Sequence, residues 1–395
     1  MPFHFACDIL QIIKPRGETR VSPVCKCGSS LCGRLMKADI LFASVDFEKY
    51  DAQLTLPAKF ERMIDQTDLP ERVKGKHTAI KMHVGRGIGY TTIHPLFIKS
   101  LVDKLKSYGA KVYITDQEVS GARVRGYTEE LLGCPIVDVC GLTGKYIYPK
   151  AVDFKSFQNV DVGGYIHDAE FMIDLSHVKG HGACGFGGAC KNIAMGCVTD
   201  RTRQQIHGLE GGLGWDESLC THCEQCIRGC NHNANSFSED GKYNVFFHHC
   251  TYCQHCVKVC PTGAIKLEGN FYTDFQTGMA ICTKTVLDCL GPDQVYYINF
   301  LTNITALCDC WGLSTPSIVP DIGIMASNDI IAIERASIDA IKVENVLLNG
   351  IPAEHTLTGE GHLLEQLHGK NPYVQLDELE KMGLGGQEYT LINVQ

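Results

Sequence analysis

HTAIKMHVGRGIGYTTIHPLFIKSLVDKLKSYGAKVYITD, residues 77–116, decides the fold. HTAIKMHV (77–84) has the β-branched and apolar run of a strand, and GRGIGYTTI (85–93) has the glycines of a loop. HPLFIKSLVDKLKSYG (94–109) carries Pro95 near its first turn and Gly109 just past its end, the start and stop signals of a helix. AKVYITD (110–116) is the next strand, and the three together make a β-α-β unit. Further short runs of the same kind follow at CPIVDV (134–139), EFMIDLS (170–176) and QVYYINFL (294–301), with a helical stretch at NDIIAIERASIDAIK (328–342). Strands alternating with helices predict an α/β fold whose core is a parallel sheet with helices on both faces.

One segment interrupts that alternation. LCTHCEQCIRGC places Cys220, Cys223, Cys226 and Cys230 at C-x2-C-x2-C-x3-C spacing, and HCTYCQHCVKVCP repeats it with Cys250, Cys253, Cys256 and Cys260. This is a ligand pattern for iron–sulfur cubanes, and in two-cluster modules the fourth cysteine of each run ligates the other cluster. The pairing assigns Cys220, Cys223, Cys226 and Cys260 to one 4Fe-4S centre, and Cys250, Cys253, Cys256 and Cys230 to the second. A pair of zinc knuckles is the alternative, but zinc sites take four ligands from two C-x2-C pairs and do not use the fourth cysteine of such a run. His222, His232, His248, His249 and His255 crowd the segment and read as solvated surface residues, since the cysteine ligands are complete without them.

The chain of 395 residues, 44% hydrophobic and 21% charged, is long enough for two or three domains. Its expected organisation is an extension or misassigned start over 1–35, the first part of the α/β domain over 36–211, the cysteine module over 212–268, the second part of the α/β domain over 269–345, and a C-terminal helical appendage over 346–395. GLEGGLGW (208–215) is the hinge into the module. A net charge of −9 without a long basic run predicts no nucleic-acid partner. No stretch approaches eighteen consecutive apolar residues, so no membrane span is expected, and the N-terminus lacks a signal-peptide pattern. Twenty-one cysteines in so large a chain, clustered at metal-ligand spacing, indicate metal chemistry in a reducing compartment, read here as the cytoplasm, rather than a disulfide scaffold.

In parallel sheets ligands bind beyond the carboxyl ends of the strands, so the polar residues there are the candidates for a site. The first strand delivers His83 and Arg86, the second Asp116, and the run DLSHVKGHGACGFGGACKNIAMG delivers His177, Lys179 and His181; Asn299 and Asn303 follow on a later strand. Gly85, Gly87 and Gly89 do not fit a dinucleotide fingerprint, because Tyr90 stands where its last glycine belongs. That loop either holds an anion through its amides and Arg86 or is a plain tight turn. Four glycines in HGACGFGGACK (181–191) point to close backbone approach to a ligand. Lys191, at the expected start of a helix, reads as a nucleophile or covalent anchor with a lowered pKa, or as a cap on a packed loop. Cys184, Cys190, Cys197, Cys308 and Cys310 are either packing residues or a third metal or redox-active thiol site. Cys25, Cys27 and Cys32 belong to the N-terminal extension.

Three resemblances add to this reading. Residues 212–268 resemble bacterial dicluster ferredoxins, including the Cys-Pro-x-Gly-Ala-Ile ending at Cys260, Pro261, Gly263, Ala264 and Ile265; the first run departs from the family at Cys230-Asn231, where a proline is usual. The pattern His-x3-Gly-x-Gly-Gly-x2-Lys over His181–Lys191, with His207 sixteen residues on, looks like the active-site segment of the lactate-racemase family. That resemblance implies a nickel pincer nucleotide tethered at Lys191, His181 as catalytic acid/base and His207 as a nickel ligand. Nearly the whole chain is similar to an uncharacterised family of iron–sulfur centre proteins that join these two parts, through HVKGHGACGFGGACKN, both cysteine runs and residues 308–339.

The parts combine into an iron–sulfur protein whose two 4Fe-4S clusters relay electrons to or from a pocket in the α/β domain, as an oxidoreductase of anaerobic metabolism or its electron-delivering subunit. A low-potential donor or acceptor protein would be its partner and a small anion its ligand. His181, Lys191 and His177 are the expected catalytic residues, and His83, Arg86 and Asp321 the expected substrate contacts. A pure electron-transfer protein and a nickel-pincer isomerase with accessory clusters are the alternatives.

Overall fold

The computed structural model describes residues 37–230, 233–246, 255–268, 272–291, 293–351, 355, 357 and 359–395. The N-terminal extension with Cys25, Cys27 and Cys32, the expected ligands Cys250 and Cys253, and His232, His248 and His249 lie outside the described residues.

Eight strands form one sheet: β1 (Ala38–Ser44), β2 (His77–Met82), β3 (Lys111–Asp116), β4 (Ile136–Asp138), β5 (Phe171–His177), β6 (Val295–Leu301), β7 (Gly323–Ser327) and β8 (Tyr389–Asn393), in the order β8-β1-β7-β6-β5-β2-β3-β4. Every neighbouring pair is parallel except the two that involve β7. The expected strands and helices of the core are therefore present in a mostly parallel α/β fold. The helix of the opening stretch, α1 (Pro95–Ser107), has His94 as its cap, whose Nδ1 accepts a hydrogen bond from the Leu96 N–H at 3.1 Å. It ends against Gly109 at φ +88°, a conformation that suits glycine.

Alternation along the strands divides the apolar residues between two cores. Ile80, Ile173, Ile298 and Ile324 point to the face covered by α1, where they meet Leu101 and Val102. Ala79, Met172, Tyr297 and Met325 point to the other face, covered by α2 (Ala189–Gly196), α3 (Asp200–Gly208), α4 (Tyr272–Leu287) and α5 (Ile330–Ala340). Helices thus pack on both faces, as alternation of strands and helices predicts. Among the described residues no helix is long and apolar enough to cross a membrane.

The C-terminal segment differs from the expected helical appendage. Its helices at Leu363–His368 and Val374–Lys381 bury Leu364, Leu367, Leu376 and Leu379 in the second core, and β8 pairs in parallel with β1 over Ala38–Phe42. The alternation in EYTLINV that marks a strand was hidden because β8 is an edge strand whose side chains are mostly exposed.

The cysteine segment leaves the body after α3 and returns at α4. Gly212–Trp215 pairs antiparallel with Ile265–Glu268, so the chain departs and re-enters side by side. Between them lie a second small ladder, Asn235–Phe237 with Tyr243–Val245, and the short helices Gln225–Arg228 and His255–Val259. Among the described residues its apolar cluster has three buried members, Cys226, Cys256 and Ile265, two of them cysteines from different runs.

Candidate functional site

The parallel strands β2, β3, β5 and β6 end on one edge of the sheet, and the residues carried past those ends enclose a cavity of about 70 Å³. Lys81 and His83 come from β2 and the residue after it, Asp116 from the end of β3, and Lys191, Asn192 and Gly196 from α2; His181, Arg203, His207, Phe275, Cys310 and Trp311 complete the wall. Of the residues expected to form the site, His83, Arg86, His181 and Lys191 are brought together here, with His207 beside them.

Asp116 is the anchor of the outer half. Its carboxylate lies 3.1 Å from Lys81 Nζ and 2.9 Å from His83 Nδ1, and it accepts the backbone N–H groups of Val84 and Gln117. Burial alone would raise its pKa, but the Lys81 ammonium and the hydrogen bond from His83 outweigh burial and hold the group well below the usual carboxylate range. Lys81 Nζ also donates to Asn192 Oδ1 at 2.5 Å, and Asn192 Nδ2 donates to Asp174 at 2.8 Å, tying β2 and β5 to α2. With Nδ1–H of His83 directed at Asp116, its Nε2 is left as the basic nitrogen, and that atom has no hydrogen-bond partner among the described residues. A carboxylate that orients an imidazole in this way leaves a positioned general base.

The inner half is built on sulfur. Cys308 and Cys310 form a disulfide, and Lys191 Nζ lies 3.5 Å from Cys308 Sγ and 3.6 Å from Cys310 Sγ. Burial lowers the Lys191 pKa to about 8, as expected for an ammonium at the start of an enclosed helix. His181 Nε2 lies 3.5 Å from Cys310 Sγ, while its Nδ1 accepts the Ala183 N–H at 3.1 Å. Burial, then the nearby Lys191 charge, holds His181 well below its ordinary pKa, so the ring is neutral and its single proton is on Nε2. His83 and His181 therefore offer the cavity opposite tautomers, one accepting and one donating.

Two expected site residues are placed elsewhere. His177, at the end of β5, is buried with both ring nitrogens occupied: Nε2 meets the Thr302 carbonyl at 2.6 Å and Nδ1 meets Asp309 at 3.1 Å. It belongs to a buried group in which Asp309 also takes Lys179 Nζ at 2.7 Å, and this group fixes the backbone between the two cysteines. Asp321 is exposed and accepts the Asn303 N–H at 2.6 Å, closing the connection between β6 and β7, where Asn303 has φ +49°. Neither lines the cavity. The glycines of 181–191 also depart from expectation, because the close approach they allow is made by the chain itself. A Cβ at Gly185, where φ is +76°, would lie 2.6 Å from the Lys370 carbonyl, and one at Gly188 would collide with Glu334.

Arg86 sits at the mouth, half exposed, 3.9 Å from Glu118 and with its guanidinium 5.9 Å from the ring of Phe246 in the cysteine segment. His207 on α3 and Phe275 on α4 pack with ring centroids 5.0 Å apart, tilted by 36°, and form the wall on the side where that segment leaves and re-enters. The pincer nucleotide implied by the resemblance at His181, Lys191 and His207 does not fit this cavity. Pockets for ligands of that size hold about 300 Å³ or more, and Lys191 Nζ is held between two sulfurs.

Lys81, Asn192, Arg203 and Phe275 were missed by sequence reasoning. Lys81 alone left a signal, a lysine at the centre of an otherwise apolar run that forms a buried strand. The family model for a domain of unknown function, DUF362, matches residues 78–339, from β2 through α5. The chain belongs to the DUF362 family. The whole cavity and the inserted segment of this DUF362 chain fall inside the matched region. Among solved structures it is similar to the lactate racemase apoprotein from Thermoanaerobacterium thermosaccharolyticum, at 11% identity and a TM-score of 0.34, over 68% of this chain and 51% of that one. It is also similar to a structural-genomics protein from Thermotoga maritima, at 10% identity and a TM-score of 0.34, over 63% of this chain and 50% of that one. The DUF362 chain thus spans about half the length of each. No curated protein matches its sequence.

Proposed function

We propose that this DUF362 protein is a redox enzyme, or the electron-delivering subunit of one, in which two 4Fe-4S clusters held by residues 212–268 exchange electrons with a small anionic ligand in the cavity. The observation that carries this reading is the splice. The two helices that flank the inserted segment, α3 and α4, contribute His207, Arg203 and Phe275 to the cavity wall, so the segment is joined to the site on both sides.

The donor set fits cubanes. Cys226 and Cys256, one from each run, share the segment's small core; the Cys220 sulfur accepts the His222 N–H at 3.5 Å, and the Cys230 sulfur the Ala234 N–H at 3.3 Å. Such N–H···S bonds stabilise ligating thiolates. An apolar cluster this small does not support a module of its size, and bound metal would supply the missing interior. The clusters, when bound, supply single electrons at low potential from a donor or acceptor protein. The chain's own residues do the rest: Arg86 and Lys191 attract the anion, His83 Nε2 accepts a proton, and His181 Nε2–H donates one. The cysteine content fits a reducing compartment such as the cytoplasm.

The test is iron and acid-labile sulfide analysis of anaerobically purified protein together with its denatured intact mass. About eight irons and eight sulfides on an unmodified chain are expected. Zinc in place of iron would sink the electron-transfer reading, and a mass adduct with nickel that disappears in Lys191→Ala would replace it with a pincer-type isomerase.

A further inference from the structure

We propose that Cys308 and Cys310 are a redox-active thiol pair, cycling between disulfide and dithiol against a thiol or disulfide ligand in the cavity. Cys310 is the sulfur presented to that ligand, since it lines the cavity, whereas Cys308 is the buried resolving sulfur. The inference goes beyond the proposed function and stands without the clusters.

A structural role explains the bond poorly. The gain from a disulfide falls as the loop it closes shortens, and here the two cysteines are two residues apart. The one residue between them, Asp309, is already pinned by Lys179 and His177. Other thiols close by, Cys184 and Cys190, are buried and free, and burial pushes the Cys184 thiol up to about 12, which keeps it inert. Cys308 and Cys310 differ in lying against the Lys191 ammonium, at 3.5 and 3.6 Å.

A metal site is the competing reading, because His181, Cys308 and Cys310 offer ligand atoms within 4.8 Å of one another. The tautomer of His181 argues against it. Its Nδ1 is taken as an acceptor by the Ala183 N–H, so the neutral ring carries its proton on Nε2, the atom that a metal would need bare. That N–H instead points at Cys310 Sγ, where it would donate to the thiolate formed when the disulfide is reduced.

An external thiolate attacks Cys310 Sγ, the Cys308–Cys310 bond breaks, and its electron pair leaves on Cys308 Sγ, which faces the Lys191 ammonium and accepts the Cys310 N–H at 3.3 Å. A second external thiolate then attacks the ligand sulfur of the mixed disulfide, and Cys310 leaves as a thiolate opposite His181 Nε2–H. Two electrons enter the protein, two external thiols become one disulfide, and the reverse sequence reduces a disulfide ligand.

The full-length, anaerobically purified protein is equilibrated in dithiothreitol buffers of graded oxidation, quenched with a thiol label, and the peptide containing residues 308–310 is weighed. A bridged peptide at the oxidising end, two labels at the reducing end and one transition between them are expected. In Cys308→Ser, a small disulfide such as 2-hydroxyethyl disulfide should leave a stable adduct on Cys310, whereas the 308–310 peptide of Cys310→Ser should take up none. Labelling of Cys310 in the reduced protein should slow about tenfold in Lys191→Met, the effect of one pKa unit on thiolate population, and recover in Lys191→Arg. Two labels at every buffer ratio, or equal adducts in both serine variants, would overturn the proposal. So would thiols that stay protected until a chelator removes a metal other than iron, which would assign the three residues to a metal site.

Discussion

Lys191 sets the pH dependence of the site. Burial lowers its pKa to about 8, so the ammonium that attracts an anion is present below that pH and is lost above it. Affinity of the disulfide form for a small dianion such as oxalate should be flat below pH 7 and fall by about tenfold for each unit above 8. Isothermal titration across pH 6–10 checks this, and Lys191→Met should bind weakly and without a pH trend. A profile unchanged in that variant would remove Lys191 from the binding role. At this scale the sequence was half legible. Strand ends pointed to His83 and Arg86, and helix-start logic to Lys191, because those signals depend on local order along the chain. His177 stands at an equally suggestive strand end, but its partners Thr302 and Asp309 come from beyond β6, and only tertiary structure shows that both its nitrogens are taken.

Among the elements, α2 does the most to assemble the cavity. Its first turn meets the Glu334 carboxylate of α5, which accepts the Ala189 N–H at 2.7 Å, its third residue is Lys191, its fourth is Asn192, and its last, Gly196, lies against Lys81 and Asp116. A Cβ at Gly196 would collide with Lys81 Nζ and lie 2.7 Å from Asp116 Oδ1. Gly196→Ala should therefore cost roughly 1–3 kcal/mol, the usual range for overpacking, and should also weaken ligand binding by displacing the Lys81–Asp116 pair. Urea denaturation and the oxalate titration measure the two effects, and a variant of wild-type stability would show that α2 can shift freely. The glycines that make this packing possible were visible in the sequence. What they approach was not, because the neighbours are Lys81, Glu334 and Lys370, distant in sequence on both sides.

At the scale of the whole molecule, the body and the inserted segment rest on different physics. The body has two apolar cores, one on each face of an eight-stranded sheet, while the segment's own apolar cluster has only three buried members among the described residues. Removing the iron of the proposed clusters should therefore abolish the segment's folded signals and leave the main thermal transition of the body within a few degrees of its original position, as calorimetry before and after chelation would show. A single transition that collapses entirely on iron loss would mean that the body depends on the segment. The α/β core was legible because its strands and helices follow their own periodicity. The order of the sheet beyond β6 was not, since β1 lies between β7 and β8, the last two strands of the chain. That order has a consequence during synthesis. Once β1 leaves the ribosome, neither of its partners exists, and at normal elongation rates they follow only after on the order of tens of seconds. Throughout that interval an apolar strand with both edges unpaired must be kept from pairing with other nascent chains, so production of this protein should depend on chaperones that act during translation.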